Sequence, residues 1–286
     1  MTEIQSKLLE LFKFTSLFLK SHNLKYVACG GTVLGAIRHN GFIPWDDDID
    51  IYMPREDYNR LLRLKTELNN ENKDVVSIYT DEGYYLPFAK IVDLRTTIWE
   101  WKELPFLIGN YIDIFPLDCF SCSDTEIISI QKKSEILFHM YQATITKDSF
   151  LNGIAHIFKR QYGAAFRTFS SLFVKNREKH LANFLKYEGT YTGKSGSKCV
   201  SQYQWIGKIF ETKWFEDIIE VPFEDTTIVI PKNYDAYLSL LYGNWKVPPK
   251  EQKSNHEDIR YYFNLKERLT LEEISNRLKN GENYVL

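Results

Sequence analysis

Residues 30–53 read GGTVLGAIRHNGFIPWDDDIDIYM, and this stretch predicts a glycine turn, a short helix and an acidic strand in that order. Asp48 and Asp50 are two residues apart in an apolar run. A strand would project both carboxylates from one face, with Cα atoms ~6.5–7 Å apart. Two like charges side by side repel each other. A divalent cation removes that repulsion, because Mg²⁺ takes hard oxygen ligands and adds waters and substrate phosphates. The pair therefore predicts a metal site.

The glycine pair before the helix supplies the second half of the chemistry. Without Cβ atoms, Gly30 and Gly31 let the backbone approach a phosphate, and the amides of the helix N-terminus point at the anion. A glycine pair alone is most often a turn. An acidic cluster is usually a solvated loop or a helix cap, and that interpretation stays open for Asp46 and Asp47. The order of turn, helix and strand favours function, and a phosphate cradle beside a metal pair predicts phosphoryl or nucleotidyl transfer.

A third carboxylate lies in a later apolar strand, where Asp113 is the middle residue of Tyr111–Phe115. A carboxylate on a buried strand is rare unless it is paired or metal-bound. Asp113 is therefore predicted to be a third metal ligand, or the base that takes a proton from the attacking hydroxyl. The alternative is an edge strand with Asp113 facing water. Asp118, which follows Pro116-Leu117, is interpreted as a turn or helix cap.

These motifs resemble the signature of the LicD family, bacterial phosphocholine transferases related to the fukutin-type ribitol-phosphate transferases of animals. The resemblance spans roughly residues 25–256, with a weakly matching middle. It implies a fold similar to the nucleotidyltransferases, which have a glycine turn, an Asp-x-Asp strand and a third carboxylate on a later strand. The similar blocks are 30–51, Lys90–Thr97, Ile112–Asp118, Val221–Glu224, Pro231–Leu238 and Tyr242–Pro249, followed by His256.

The activity that this resemblance implies is metal-dependent phosphotransfer. Phosphocholine would move from CDP-choline to a sugar hydroxyl of a cell-surface glycan, such as lipopolysaccharide or teichoic acid, or of its lipid-linked precursor, with CMP leaving. Two other enzyme activities stay open: transfer of another phospho-alcohol (ribitol, glycerol) from a CDP-linked donor, and true nucleotidyl transfer to a small hydroxyl substrate. A catalytically inactive scaffold would lack one of the three aspartates, and none is missing.

The residues expected to carry the reaction fall into two groups. The cofactor would be Mg²⁺ or Mn²⁺, and the predicted metal ligands are also the predicted catalytic residues. In-line attack needs cationic groups and close backbone approach at the donor pyrophosphate. Arg38 and Lys90 are candidates for these cationic groups. Instead of contacting phosphate, Arg38 could cap its helix, and Lys90 could be a solvent-exposed residue of an edge strand. The metal and catalytic residues are Asp48, Asp50 and Asp113, and the donor-binding residues are Gly30, Gly31, Thr32, Arg38 and Lys90.

The composition of the 286 residues, with 44% hydrophobic residues and a formal net charge of −2, indicates a globular chain. No signal peptide is apparent, and no window approaches the ~18 apolar residues of a membrane span. Four cysteines predict free thiols in a reducing cytoplasm, and Cys119 and Cys122 lack the second pair that a zinc site needs. The expected location is cytoplasmic, with peripheral contact at the inner face of the membrane left open. The slightly acidic charge argues against a nucleic-acid partner.

The predicted fold class is α/β (α+β), a nucleotidyltransferase-like mixed sheet with flanking helices and an α-rich insertion. Residues 1–141 would form the catalytic core, 142–198 a basic amphipathic insertion, and 199–286 a C-terminal module packed on the core. Predicted helices are 2–21, 32–38, 55–69 and 124–142, and predicted strands are 25–29, 47–53, 75–80, 85–92, 96–101 and 111–115.

The insertion differs in charge from the rest of the chain. Residues 142–198 contain ten Lys and Arg against three Asp and Glu, a net +7, which leaves −9 for the remainder of this −2 chain. Aromatic residues recur at helical spacing through Tyr162, Phe166, Phe169 and Phe173. Basic amphipathic helices lie on anionic membrane surfaces, and a lipid-linked acceptor would make such contact useful. The alternative is a stripe that faces the core.

The C-terminal part predicts a hairpin of 220–224 and 227–230, then a helix that begins at Pro231 and ends with Gly243 as its cap. Trp245 and His256 either border the site or pack against the core. Residues 269–279 predict a charged helix of unassigned function.

Overall fold

A mixed β-sheet forms the centre of the computed structural model, which describes residues 1–248 and 260–281. The α+β class predicted from the sequence is confirmed. The helices are α1 (Glu3–Ser21), α2 (Gly30–His39), α3 (Arg55–Leu62), α4 (Lys65–Asn70), α5 (Asp124–Ile145), α6 (Phe150–Phe158), α7 (Tyr162–Phe173), α8 (Arg177–Glu188), α9 (Lys213–Glu216), α10 (Tyr234–Tyr242) and α11 (Leu271–Lys279). The strands are β1 (Val27–Ala28), β2 (Asp50–Pro54), β3 (Lys73–Val76), β4 (Ala89–Trp99), β5 (Ile108–Phe120), β6 (Lys198–Ser201), β7 (Phe210–Glu211), β8 (Ile218–Phe223), β9 (Thr226–Pro231) and β10 (Tyr262–Asn264).

The sheet runs in the order β1-β2-β5-β4-β10. In addition, β3 pairs with β4, β6 pairs with β5, and β7 pairs with β6. β2 and β5 are parallel, and the other neighbouring strands are antiparallel. β4 and β5 are 11 and 13 residues long. Besides pairing with each other, each is therefore long enough to pair with two shorter strands along its other edge. Nearly every residue of β5 is buried. The centre of the sheet is therefore shielded on both faces, and a charge placed there needs a partner.

Helix α1 packs on the sheet as its apolar spacing predicts. Thr2 and Gln5 form a capping box, in which each side chain accepts the other residue's backbone amide. The buried face includes Leu8, Phe12 and Leu19, which join the main core. The predicted helix 2–21 is confirmed.

Several element boundaries differ between the sequence prediction and the structure. The predicted strand 47–53 begins only at Asp50, because its antiparallel neighbour β1 ends at Ala28, where the chain turns into α2. The predicted helix 55–69 divides into α3 and α4. The strands predicted at 85–92 and 96–101 form one strand, β4, whose pairing with β5 shifts between Asp93 and Ile98.

The insertion is helical, as predicted, and a buried ion cluster attaches it to the core. Arg55 of α3 donates to both carboxylate oxygens of Asp118 on β5, at 2.8 and 2.7 Å, and to Glu188 of α8 at 3.2 Å. All three side chains are buried. The interpretation of Asp118 as a turn or helix cap is therefore wrong, because its carboxylate neutralises a buried guanidinium. Breaking such a cluster by removing one partner costs about 3–5 kcal/mol.

The C-terminal part contains the predicted hairpin, β8 and β9, as a separate two-stranded sheet. The following helix α10 ends at Gly243, whose amide bonds to the carbonyl of Ser239, so the predicted cap is confirmed. The short strands β6, β7 and β10 carry no apolar alternation long enough to be predicted. Pro249 and His256 lie outside the described residues. Within the described ranges, no helix has both the length and the apolar content that a bilayer crossing requires.

Candidate active site

Three charged residues lie in one row across the centre of the sheet. Asp50 on β2 is the direct partner of Asp113 on the parallel strand β5. Asp113 is in turn the direct partner of Lys90 on the antiparallel strand β4. Direct partners on neighbouring strands project to the same face, and the strands lie about 4.8 Å apart. The sheet therefore sets two carboxylates and an ammonium side by side.

Lys90 is the buried counter-charge of this row. Its ammonium donates to Asp113 Oδ1 at 2.6 Å and lies 3.6 Å from Glu100 Oε1. The Nζ atom also lies 3.3 Å from the centroid of the Tyr111 ring. Only 2% of Lys90 is exposed, so its alternative interpretation as an exposed edge-strand residue is wrong. The alternative of a water-facing Asp113 is also wrong, because Asp113 is buried on a central strand.

Asp50 lies among other carboxylates. Burial raises its pKa well above the usual 3.8, and the charges of Asp48, Asp113 and Asp46 raise it further, while Lys90 opposes the shift. Asp48 lies two residues before the start of β2 and contributes to the raised pKa values of Asp50 and Asp113 alike. The two aspartates predicted as a pair, and the third from β5, are therefore brought into one electrostatic cluster.

Asp113 titrates closer to neutrality than an ordinary aspartate. Burial raises the pKa of Asp113 to about 6, Glu100 and Asp48 add to that rise, and the charge and hydrogen bond of Lys90 oppose it. Lys90 engages one oxygen of this carboxylate, Oδ1. A carboxylate with a pKa near the working pH is suited to accept a proton from a hydroxyl.

The glycine pair lies against this cluster. Gly30 has a φ of +54°, a left-handed conformation that favours glycine, and its amide donates to the hydroxyl of Tyr237 at 2.8 Å. A Cβ at Gly30 would lie 3.4 Å from Asp50 Oδ2, and one at Gly31 would lie 2.8 Å from Asp46 Oδ2. The absence of side chains at both positions therefore lets carboxylates approach the first turn of α2.

Thr32 and Arg38 lie at opposite ends of α2. The Thr32 hydroxyl accepts the backbone amide of Asp50 at 2.9 Å and so fixes the helix to the start of β2. Arg38 is in the last turn, where Nη1 donates to the carbonyl of Trp245 at 3.1 Å. Eight residues of helix separate it from Gly30, or about 12 Å along the axis. Arg38 can thus reach only a part of a donor that extends beyond the carboxylates.

Distant segments add polar groups that the sequence did not indicate. Gln204 Nε2 donates to Asp50 Oδ2 at 3.3 Å from 154 residues away. The half-buried ring of Tyr242 packs on Trp205, and the Tyr242 hydroxyl lies 3.7 Å from where a Cβ would stand on Gly30. Burial, then the charge of Asp50, raises the pKa of Tyr242. No local pattern marks Gln204, and Tyr242 was indicated only as the first residue of the similar block Tyr242–Pro249, because the roles of both depend on how the C-terminal part folds back.

The acidic loop before the strand is more than a solvated loop. Asp47 pairs with Arg260, whose Nη2 also donates to the Asp47 carbonyl at 3.3 Å. Both side chains are largely buried. This pair ties the loop to the segment that leads into β10, while Asp46 lies against Gly31.

The carboxylates of this site have the chemistry to bind a divalent cation together with a phosphate-containing substrate. Over residues 1–248 and 260–281, no three His, Cys, Asp or Glu side chains converge closely enough to enclose a metal ion by themselves. Mg²⁺ is commonly bound by one or two carboxylates, with substrate phosphates and waters as its other ligands. Asp48 and Asp50 match that requirement, because the repulsion that raises the pKa of Asp50 is what a cation relieves.

Comparisons with known proteins show which sequences this chain is similar to. Residues 23–153 match the family described as LicD/FKTN/FKRP, nucleotidyltransferase domain. The lipopolysaccharide cholinephosphotransferase LicD of Haemophilus influenzae is 27% identical over 269 residues, which cover 91% of this chain and 97% of that protein. An uncharacterised protein of Rickettsia prowazekii is 50% identical over 57 residues, 20% of this chain and 21% of that protein. One of Rickettsia typhi is 50% identical over 50 residues, 18% of this chain and 16% of that protein.

Proposed function

We propose that the protein is a metal-dependent phosphocholine transferase, because residues 23–153 match the family described as LicD/FKTN/FKRP, nucleotidyltransferase domain, which the motifs also resemble. It moves phosphocholine from CDP-choline to a sugar hydroxyl of a cell-surface glycan or of its lipid-linked precursor, and CMP leaves. The observation that carries this proposal is the row of Asp50, Asp113 and Lys90 beneath the glycine turn. The relative named as a cholinephosphotransferase supports it, since the match extends over nearly its whole length.

Asp48 and Asp50 are the residues that would hold Mg²⁺ or Mn²⁺, which neutralises charge on the donor pyrophosphate when bound. Gln204 fixes one oxygen of Asp50, and the Thr32 hydroxyl fixes the start of the strand. These two contacts hold the carboxylate in place before substrate arrives. Pre-set geometry of this kind lowers the cost of reaching the transition state.

Asp113 is the proposed base. Lys90 binds Oδ1 and opposes the effect of burial on the pKa, so Asp113 is ionised near neutral pH. It accepts the proton of the acceptor hydroxyl as the oxygen attacks phosphorus. The predicted phosphate contact of Lys90 would require its ammonium to reach past Asp113. The contacts of the structure favour a role for Lys90 in positioning this base.

Two alternatives keep the same site. Another phospho-alcohol, such as phosphoribitol or phosphoglycerol, demands the same in-line attack. True nucleotidyl transfer is favoured by the description of the matching domain, and it would leave the nucleotide on the acceptor. Both differ from the first proposal in the donor or in the product, and not in the carboxylates.

The test is incubation of the protein with CDP-choline, CDP-ribitol, CDP-glycerol and CTP, each with Mg²⁺ and a lipooligosaccharide acceptor. CMP release with choline phosphate on the acceptor is the expected result. Asp50→Asn is the inactive reference, and Asp217→Asn, at an exposed aspartate directly after α9, is the matched control. Pyrophosphate release with the nucleotide retained on the acceptor would replace the proposal by nucleotidyl transfer.

A further inference from the structure

The helices α6 and α7 are packed with their large apolar side chains outward. Their buried residues are small ones: Gly153 on α6, and Ala165, Thr168 and Ser171 on α7. Phe158 and Phe173 are 84% and 85% exposed, respectively. The other exposed apolar side chains of this pair are Phe150, Leu151, Ile157, Tyr162, Phe166 and Leu172. The predicted alternative of a core-facing stripe is therefore wrong for Tyr162, Phe166 and Phe173.

An exposed surface made of eight large apolar side chains marks an interaction site, because a protein in water normally covers its aromatic side chains. Helices packed through small residues with large apolar residues outside are typical of an apolar surrounding. We propose that the α6–α7 pair docks on an anionic lipid bilayer and buries its aromatic face at the interface.

The charge of the insertion favours a lipid surface as the occupant. Lys159 and Arg160 lie in the turn between the two helices, next to Phe158, and both are exposed. Residues 142–198 carry +7, whereas the rest of the chain carries −9. Interfacial helices combine Lys and Arg with Phe and Leu in this way, and anionic headgroups attract the basic groups. A second copy of the chain would bring two turns that each carry Lys159 and Arg160 together, which disfavours self-association.

The lengths of the helices define how the pair contacts the membrane. With 9 and 12 residues, α6 and α7 are about 13 and 18 Å long, too short for a hydrocarbon core of about 30 Å. They can lie in the headgroup region but cannot cross the hydrocarbon core. The contact is therefore peripheral, and reversible binding is expected.

A cleft of about 770 Å³ lies under α6, between this helix and the loop that follows β4. Its walls include Trp99, Lys102, Lys147, Asn152, His156 and Lys159. Trp99 is followed by Glu100, whose carboxylate lies 3.6 Å from Lys90 Nζ. Docking through α6 would thus set the cleft between the bilayer and the charged row. This consequence rests on the proposed function, in which the acceptor is lipid-linked.

The experiment measures co-sedimentation of the full chain with vesicles of phosphatidylcholine alone and with phosphatidylglycerol added. Binding to the anionic vesicles is expected, and high salt should weaken it. Phe158→Ser combined with Phe173→Ser should lower the vesicle affinity by at least about tenfold, because buried apolar area drives interfacial binding. Leu17→Ser, at an exposed leucine of α1, is the matched control and should bind like the wild type.

A charge reversal tests the second part of the argument. Lys159→Glu with Arg160→Glu should abolish the preference for anionic vesicles, while Lys20→Glu with Lys232→Glu, the same charge change on exposed residues elsewhere, should keep it. All these positions are exposed, so melting temperatures should stay near that of the wild type.

Vesicle binding that is unaffected by the Phe158 and Phe173 changes would overturn the proposal. So would a dimer in sedimentation analysis that these changes dissociate, with no vesicle binding in the wild type. CMP release measured with a soluble acceptor separates failure of docking from failure of the reaction.

Discussion

Asp50 and Asp113 are direct neighbours on two parallel strands, and the amide of Asp113 also bonds to the carbonyl of Ile49 at 3.0 Å. This pairing sets a half-buried carboxylate, Asp50, beside a buried one, Asp113, at the centre of the sheet. Lys90 balances one of them from the opposite strand. The remaining negative charge collects at Asp48 and Asp50, where the proposed reaction would use a cation.

The first prediction concerns that pair. Asp48→Asn and Asp50→Asn should each abolish transfer, because the amide keeps the shape of the side chain but loses the charge that holds the metal. Without metal, the melting temperature should stay the same or rise, since repulsion is relieved. Activity within about tenfold of the wild type in either variant would contradict the metal assignment. Asp217→Asn serves as the control.

Asp113→Asn should separate the base from the metal ligands. If Asp113 takes the proton, turnover should fall by roughly 10²–10⁴-fold while the donor still binds, because proton removal is needed only in the transition state. Donor affinity by calorimetry and turnover across pH should be measured on the same sample. A loss beyond that range would mean that the metal is misplaced as well. Unchanged turnover would show that Asp113 is an ordinary strand residue.

Removing Lys90 should damage the fold as well as the reaction. Lys90→Met leaves Asp113 and Glu100 without their buried counter-charge, which should cost about 3–5 kcal/mol in the free energy of unfolding. The loss should be larger at pH 8 than at pH 5, because more of the carboxylate charge is then present. Adding Asp113→Asn to Lys90→Met should restore part of the stability, and chemical denaturation of the four proteins of this cycle measures the coupling. A loss in the double variant equal to the sum of the two single losses would show that the pair is not coupled.

The metal-free protein should lose stability as the pH rises from about 4 through 6. The folded pKa of Asp113 is about 6 against the usual 3.8, so in this window the folded chain keeps a proton that the unfolded chain releases. Stability therefore falls with increasing pH, by up to about 3 kcal/mol from this group. Asp113→Asn should lack that part of the slope, as the difference between the two unfolding profiles against pH would show. A wild-type profile parallel to that of the variant would refute the raised pKa.

Gly31→Val should weaken donor binding by at least about tenfold, because the new side chain would fill the space beside α2 and displace the carboxylate of Asp46. Calorimetric titration with CDP-choline and Mg²⁺ measures the effect. Gly163→Val is a matched control in the first turn of α7, where the nearest atom to an added Cβ is Arg167 Nη1 at 3.7 Å. Normal donor affinity of Gly31→Val would limit Gly31 to a packing role.

The sequence by itself determined the local elements and the main site residues. Periodicity and caps predicted α1, α2, α5, the C-terminal hairpin and α10, because these depend on contacts between residues a few positions apart. The spacing of Asp48 and Asp50, and the apolar surroundings of Asp113, indicated the carboxylates for the same reason. The strand boundaries were less well predicted, since β2 begins where its partner β1 ends.

Only the tertiary structure decided how these residues are paired. Strand register placed Lys90 against Asp113, 23 residues away, and chain folding brought Gln204 to Asp50 from 154 residues away. It also decided that the aromatic stripes of α6 and α7 face outward, because small residues were available for the contact between them. A hydrophobic pattern shows that a helix has an apolar face, but only the positions of the neighbouring elements decide whether protein covers that face.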